Sequence, residues 1–419
     1  MGERIAVVGG GVAGLTAAYL LSRCHDVELF EKEQRLGGNA YTYATNEGEV
    51  VDIAVAAFGQ AGYPLFYRLL DELGVQTSRS PSAYMSFHDL DTHRGLYITP
   101  SPGGLIRQGF QLFQPDQAAA VWRLLKGVRH LRSMLHAGRL ADLTIAEALE
   151  EIPALHGMAR VMFLCTLCLL SSQSSEEVLS APATFFAHKL DVHHDVISPK
   201  AVWSVRTVQG WTRAYVQALA KPLKDRVRSG AAVHRVRRHA DRVDLVLDDG
   251  TTRSFQRVVF ACHADQALML IDHPTAAEQH LLGAWRYKSG RVVVHRDHSS
   301  FPSRSLQQAY TFLYTQRNGR IDTSVNGTLR FEPGVDKRCD LISSQHPNFD
   351  IQEDKIVLDT WLRTPVFDAD SCATIEDLPC LNGQQRSYFC GAHMGHGLHE
   401  DAVRSAARVA AMLGVEFLR

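Results

Sequence analysis

The amino-acid sequence predicts an α/β chain of two domains, one of them built on a buried parallel sheet. Three observations carry this. Ile5-Ala6-Val7-Val8 is an unbroken apolar run of strand length, and three glycines follow it directly. A second apolar run, Val27-Glu28-Leu29-Phe30, ends in an acid, Glu31, about twenty residues beyond the glycines. The chain has 419 residues, past the usual limit of one hydrophobic core, and 45% of them are apolar, enough to fill two.

The run Gly9-Gly10-Gly11-Val12-Ala13-Gly14 joins the first strand to a helix beginning near Val12. Each glycine of the G-x-G-x-x-G pattern has a task. Gly9 lets the chain turn, Gly11 lets backbone approach a pyrophosphate, and Gly14 lets helix and strand pack closely. The helix start at Val12 and Ala13 supplies amide hydrogens and partial positive charge to the phosphates. Glu31 stands where a carboxylate accepts ribose hydroxyls, which favours an unphosphorylated ribose. The layout is that of a Rossmann-type domain.

Further along, Tyr41 to Thr45 and Glu49 to Ile53 alternate as a hairpin around Asn46-Glu47-Gly48. Pro64 to Gly74 reads as a helix with Leu65, Phe66, Leu69, Leu70 and Leu73 at helical spacing. Residues 118–170 read as several helices, one opening after Leu143 with Thr144 as N-cap. Another helix spans Thr212 to Leu219, and strands follow at 232–236, 243–247 and 258–261, with Asp248-Asp249-Gly250 as a turn. Residues 291–295, 309–314, 321–325 and 355–361 are strand-like, whereas Leu329 to Asp354, rich in Pro, Asp, Ser and Asn, reads as loop. Residues 386–391 form a last strand and turn before a terminal helix.

With 44 Lys and Arg against 45 Asp and Glu, the net charge of −1 gives no electrostatic case for nucleic acid or a strongly anionic surface. No run reaches the roughly 18 apolar residues of a spanning helix, and no cationic-apolar leader is seen, so a cytoplasmic location is expected. The eight cysteines are dispersed, as reduced thiols are, and Cys165-Thr-Leu-Cys168 lies in an apolar run where free Cys packs as a small hydrophobe. Among the 20 histidines no metal-binding spacing stands out, and no metal is expected.

From Arg35-Leu36-Gly37-Gly38-Asn39 onward the sequence resembles the FAD-dependent amine oxidase and phytoene desaturase superfamily, most of all its bacterial members known only as FAD or NAD-binding, amine oxidase-like proteins. The resemblance returns near Val233 and again at Gly391 and Gly395 to Val403. It implies FAD as cofactor, with the glycine pair carrying backbone past its pyrophosphate and Lys32, Arg35, Gly38 and Asn39 beside it. It also implies that Val233 meets the adenine, Gly391 the ribityl chain, and Leu398 and His399 the pyrimidine edge. The expected architecture is a discontinuous Rossmann-type FAD-binding domain of residues 1–60, 203–265 and 372–419. Residues 61–202 and 266–371 then form an inserted α+β substrate domain with a helical cap.

The departures from the family pattern bear on chemistry. Asp52-Ile53-Ala54 stands where relatives carry Asp-x-Gly, so a methyl group is added near the flavin. Arg291 takes the place of a lysine bridged to flavin N5, and Leu398 that of an aromatic residue of the amine cage. Both disfavour amines, and Arg291 and His399 are the candidate catalytic residues, the arginine stabilising negative charge on the reduced ring or holding a substrate acid. The expected reaction is hydride transfer from a C–H bond of a largely apolar, lipid-like or terpenoid substrate to FAD, with oxygen or another acceptor reoxidising it. An amine or amino-acid oxidase, a redox-neutral double-bond isomerase and a non-catalytic flavin-binding subunit are the alternatives, and the oligomeric state is left open.

Overall fold

The computed structural model describes residues 2–54, 57–81, 84–98, 115–194 and 204–417, without the side chains of 115 and 117. Strand Arg4–Val8 sits at the centre of a five-stranded sheet in the order 227–229, 26–31, 4–8, 257–260, 387–389, with parallel pairing throughout. A strand enclosed on both faces must be apolar on both. Ile5 and Val7 accordingly join the core formed with helices Val12–Leu21 and His399–Met412, while Ala6 and Val8 join the core formed with the antiparallel strands Val233–Arg238, Val243–Leu247 and Thr252–Phe255. Gly14 sets how closely the first helix lies on the sheet, since a Cβ there would come within 1.9 Å of the Gly9 carbonyl oxygen.

A second sheet has seven strands in the order 356–365, 287–295, 342–345, 320–328, 310–317, 85–89, 95–98. Its neighbours are antiparallel apart from Tyr310–Arg317 beside Met85–Asp89. Helices Met158–Ser171 and Ser175–Ser180 lie against strand Arg320–Thr328. Met158–Ser171 is buried on nearly every side, which its all-round apolar sequence requires, and Cys165 within it places Sγ 3.3 Å from Thr323 Oγ1. Burial pushes the Cys165 thiol up to about 12, the state of a packed, unreactive cysteine.

The local signals act as their chemistry dictates. Thr144 caps Ile145–Glu150 in a reciprocal box with Glu147, Pro64 opens helix Pro64–Glu72, and Gly74 ends it at a positive φ of 67°. Glu400 of the terminal helix accepts from the Phe66 amide at 2.9 Å and the Leu65 amide at 3.2 Å, tying those two helices together.

Three strands were not expected from the sequence. Residues 329–354 are not all loop, because Ile342–Gln345 runs between strands Tyr287–His295 and Arg320–Thr328. Its Ser343 and Ser344 are polar but small and buried between neighbours, so composition hides what tertiary pairing makes of them. Met85–Asp89 and Gly95–Ile98 likewise extend the sheet; Met85 and Phe87 alternate with Ser86 and His88, a short strand signal left out of the expected elements.

Candidate functional site

The C-terminal ends of the parallel strands open onto a cavity of about 740 Å³, the position where α/β sheets hold ligands. Its first half is made of backbone. Gly9 turns at a φ of 112°, and Gly11 then caps helix Val12–Leu21 without a side-chain hydrogen bond and with no acid in the first turn. A Cβ on Gly11 would meet nothing within 4 Å, so only open cavity lies before that helix start. Gly37 and Gly38 follow at φ of 107° and 59°, and Gly38 lies so close that its Cβ would stand 3.2 Å from the Gly11 Cα. The Gly37 amide donates to the Gly10 carbonyl at 2.8 Å, closing the two glycine loops onto one another.

Glu31, nine-tenths buried, closes this half. Its carboxylate accepts from the Gly10 amide at 2.6 Å and the Glu33 amide at 2.9 Å, and it keeps lone pairs for a ligand. Arg35 donates to the Gly38 carbonyl at 2.6 Å and stacks on Tyr41, while Asn39 donates to the Arg363 carbonyl at 2.9 Å. Gly9, Gly11, Val12, Ala13, Glu31, Lys32, Arg35, Gly38, Asn39, Val233, Gly391, Leu398 and His399 all line the cavity. Gly14 stands behind it, in contact with Gly9. The donors and the unfilled space before Gly11 fit a dinucleotide pyrophosphate, and Glu31 fits its ribose.

The other half is made of side chains from distant segments. Tyr63, Met85, Leu169, Leu170, Val292, Tyr310, Gln345, His346 and Phe367 form its walls. Among the described lining residues the carboxylates are Glu31 and Glu33, both at the nucleotide end. Asp52 and Glu332 line an adjoining recess of about 40 Å³ that shares Ala54, Tyr310 and Gln345 with the cavity. There Asp52 caps helix Thr212–Ala220, accepting from the Thr212 amide at 2.9 Å and from the hydroxyls of Thr212 and Thr42, and burial pushes it up to about 6. Burial, with Asp52 as a charged neighbour, pushes Glu332 up to about 7. Ala54 lines the cavity.

The expected place of Arg291 is corrected. Its guanidinium pairs with Asp359 on strand Ile356–Pro365 at 2.7 Å and is half exposed, while its neighbours Gly290 and Val292 line the cavity. Side chains alternate along a strand, so a shift of one residue turns the charge outward. His399 does stand at the cavity wall, with Nε2 2.8 Å from the Tyr215 hydroxyl and its ring edge-on to Phe58 and Phe66. Burial among those rings pulls His399 down to about 4, so it is neutral at physiological pH. His393 lines the cavity as well and is pulled down by burial to about 3, whereas the His396 ring turns to Phe185 and away from the cavity. Cys262 lies in the wall with its thiol pushed by burial up to about 12, and it is no nucleophile.

Several lining residues carry no sequence signal. Tyr63, Tyr310 and Phe367 come together only through folding; Tyr63 precedes an expected helix and Tyr310 lies in an expected strand, but nothing in the sequence marks Phe367. Among the described residues no helix is long and apolar enough to cross a membrane.

A sequence model of the family described as flavin containing amine oxidoreductase matches residues 12–304. AofH of Mycobacterium tuberculosis, named as a flavin-containing monoamine oxidase, is 27% identical over 297 residues, 69% of this chain and 63% of its own length. RebO of Lentzea aerocolonigenes, a flavin-dependent L-tryptophan oxidase, is 25% identical over 270 residues, 59% of this chain and 55% of its own. The chain thus spans less than two thirds of the length of these curated relatives. Among solved structures, a putrescine oxidase triple mutant superposes with a TM-score of 0.69 at 16% identity, covering 98% of both chains. A fatty acid isomerase from P. acnes does so at 0.68 and 15%, covering 99% of both. At such identity the likeness is one of fold. The sequence match over most of the chain and the glycine cradle beneath the first helix agree: the chain belongs to the flavin containing amine oxidoreductase family, whose cofactor is FAD.

Proposed function

We propose that this protein binds FAD along the cavity and oxidises a C–H bond of a largely apolar substrate held in the half walled by Tyr63, Met85, Leu169, Val292 and Phe367. One observation carries the reading. Among the described residues the substrate half has no carboxylate in its lining, and a substrate ammonium taken from water into it meets no counter-charge. When bound, FAD would take a hydride from the C–H bond while the substrate loses a proton to solvent as its double bond forms, and the two electrons would pass on to oxygen or another acceptor. The chain's own part is holding and shielding. Amides at the start of helix Val12–Leu21 bind the pyrophosphate, Glu31 accepts the ribose hydroxyls, and the loops at Gly38 and Asn39 close over the phosphates. Leu398 and His399 fix the far edge of the cofactor, with neutral His399 held by Tyr215. The apolar walls orient the substrate and exclude water.

This function goes with a division of labour in the chain. Residues 1–60, 203–265 and 372–419 form the FAD-binding domain, and 61–202 with 266–371 the substrate domain. The boundary at 202 and 203 lies outside the described residues.

A second reading, an amine or amino-acid oxidase, draws support from the names of the relatives and from Tyr63, Tyr310 and Phe367, aromatic faces able to hold a cation. One experiment separates the two. The purified yellow protein is mixed anaerobically with unsaturated fatty acids, terpenoids, primary amines and L-amino acids, and flavin bleaching is followed, with peroxide release in air. Bleaching by apolar substrates supports the proposal, and rapid bleaching by amines replaces it with the second reading. A colourless protein that never takes up FAD overturns both.

A further inference from the structure

Lys189 lies in helix Ala183–Val192, yet its side chain is only 1% exposed. A lysine buried so deeply needs partners for three donors. Its ammonium donates to the His396 carbonyl at 3.0 Å and faces the rings of Phe185 and Phe367 at 5.9 and 5.8 Å. Phe185 shares its helix face at four residues' spacing, and the two rings stack at 4.3 Å, so the lysine stem and an aromatic pair form one plug. Phe367 itself lines the cavity.

The turn that this plug meets is held from the other side. Asp401 accepts from the His396 amide at 2.9 Å and the Leu398 amide at 3.0 Å and pairs with Arg404. Gly397 and Leu398 line the cavity and lead into helix His399–Met412, whose start carries partial positive charge. The positive charge of Lys189 is therefore set one residue behind the cavity wall, against the start of that helix.

We propose that Lys189 is a positioning residue for the FAD reading above: it fixes the Gly395 to Leu398 turn and adds positive potential at the cofactor edge where negative charge builds on reduction. Burial pulls the ammonium down only to about 8, Asp401 opposing the fall, so the charge is present at neutral pH. The potential acts in a water-poor wall, where a fixed charge is felt more strongly than at a surface.

The test rests on the FAD reading and compares midpoint potentials of the bound flavin in the wild type, Lys189→Met, Lys189→Gln and Lys189→Arg. Gln keeps a donor for the His396 carbonyl and drops the charge, so it carries the test if the Met variant does not accumulate. In both neutral variants the reduction equilibrium is expected to fall about tenfold, a drop of about 30 mV for a two-electron couple, with Lys189→Arg near the wild-type value. Unchanged potentials in a Gln variant that retains FAD overturn the proposal and leave Lys189 as a packing peg. A wild type that holds no FAD overturns the parent reading instead.

Discussion

The two halves of the cavity are built by different means. The nucleotide half is a piece of backbone: two glycine loops, a helix start and one carboxylate, all within the first forty residues. The substrate half is a collection of side chains from the helical insert, the seven-stranded sheet and the return at Phe367. Backbone geometry is written in local sequence because only glycine tolerates those φ values and approaches. Side-chain walls depend on register and on contacts far apart in the chain. The first half therefore follows from a short stretch of sequence, and under the proposed function the second is where specificity would lie.

The comparison can be broken most directly at its two glycines. Gly14→Ala puts a methyl group against the Gly9 carbonyl, so the FAD-free protein is expected to lose about 3 kcal/mol in denaturant melts. Gly11→Ala adds a methyl group that meets only open cavity, so FAD-free stability is expected to stay within about 0.5 kcal/mol of wild type while FAD retention is weakened. Equal destabilisation by both would mean that Gly11 serves folding rather than ligand approach.

The sheet of the substrate half has its own polar dependence, sharpened by acid. His295 is fully buried. Its Nδ1 accepts from the Asp297 amide at 3.1 Å and its Nε2 lies 2.8 Å from Ser344 Oγ, an arrangement that needs the neutral ring. Burial pulls it down to about 4, below the unfolded value of about 6.5. A folded pKa below the unfolded one means that stability is full above pH 6.5 and is lost as the pH falls toward 4. At pH 5 the loss from this group is about 2 kcal/mol. Unfolding midpoints of wild type and His295→Gln between pH 7.5 and 5 check this, because the variant's curve should fall less steeply; parallel curves would refute it.

The smallest effect is expected at Arg291. With its guanidinium on Asp359 and half exposed, Arg291→Ala should cost under about 1 kcal/mol and leave FAD retention unchanged. A large loss of bound flavin in that variant would return the arginine to the cavity.

Much of the fold was legible because its signals are local and redundant. Thr144 with Glu147, Pro64 with Gly74, and the Asp248-Asp249-Gly250 turn each specify an element end by hydrogen bonding or backbone freedom within a few residues. Strand Ile342–Gln345 was not legible, since Ser343 and Ser344 acquire a strand's environment only when two neighbours enclose them. Arg291 was misplaced for a related reason: a strand's identity is readable from its apolar run, but which face meets the cavity turns on a single residue of register.

By itself, then, the sequence determined the glycine cradle, the acid at Glu31 and the helix starts that flank them, because each follows from steric limits on a short stretch of backbone. Only the tertiary structure decided which side chains wall the far half, that Arg291 faces Asp359, and that Lys189 reaches from its helix to the turn before the last helix. Those outcomes depend on packing between segments more than two hundred residues apart, where burial and strand register, rather than local propensity, set the direction of a side chain.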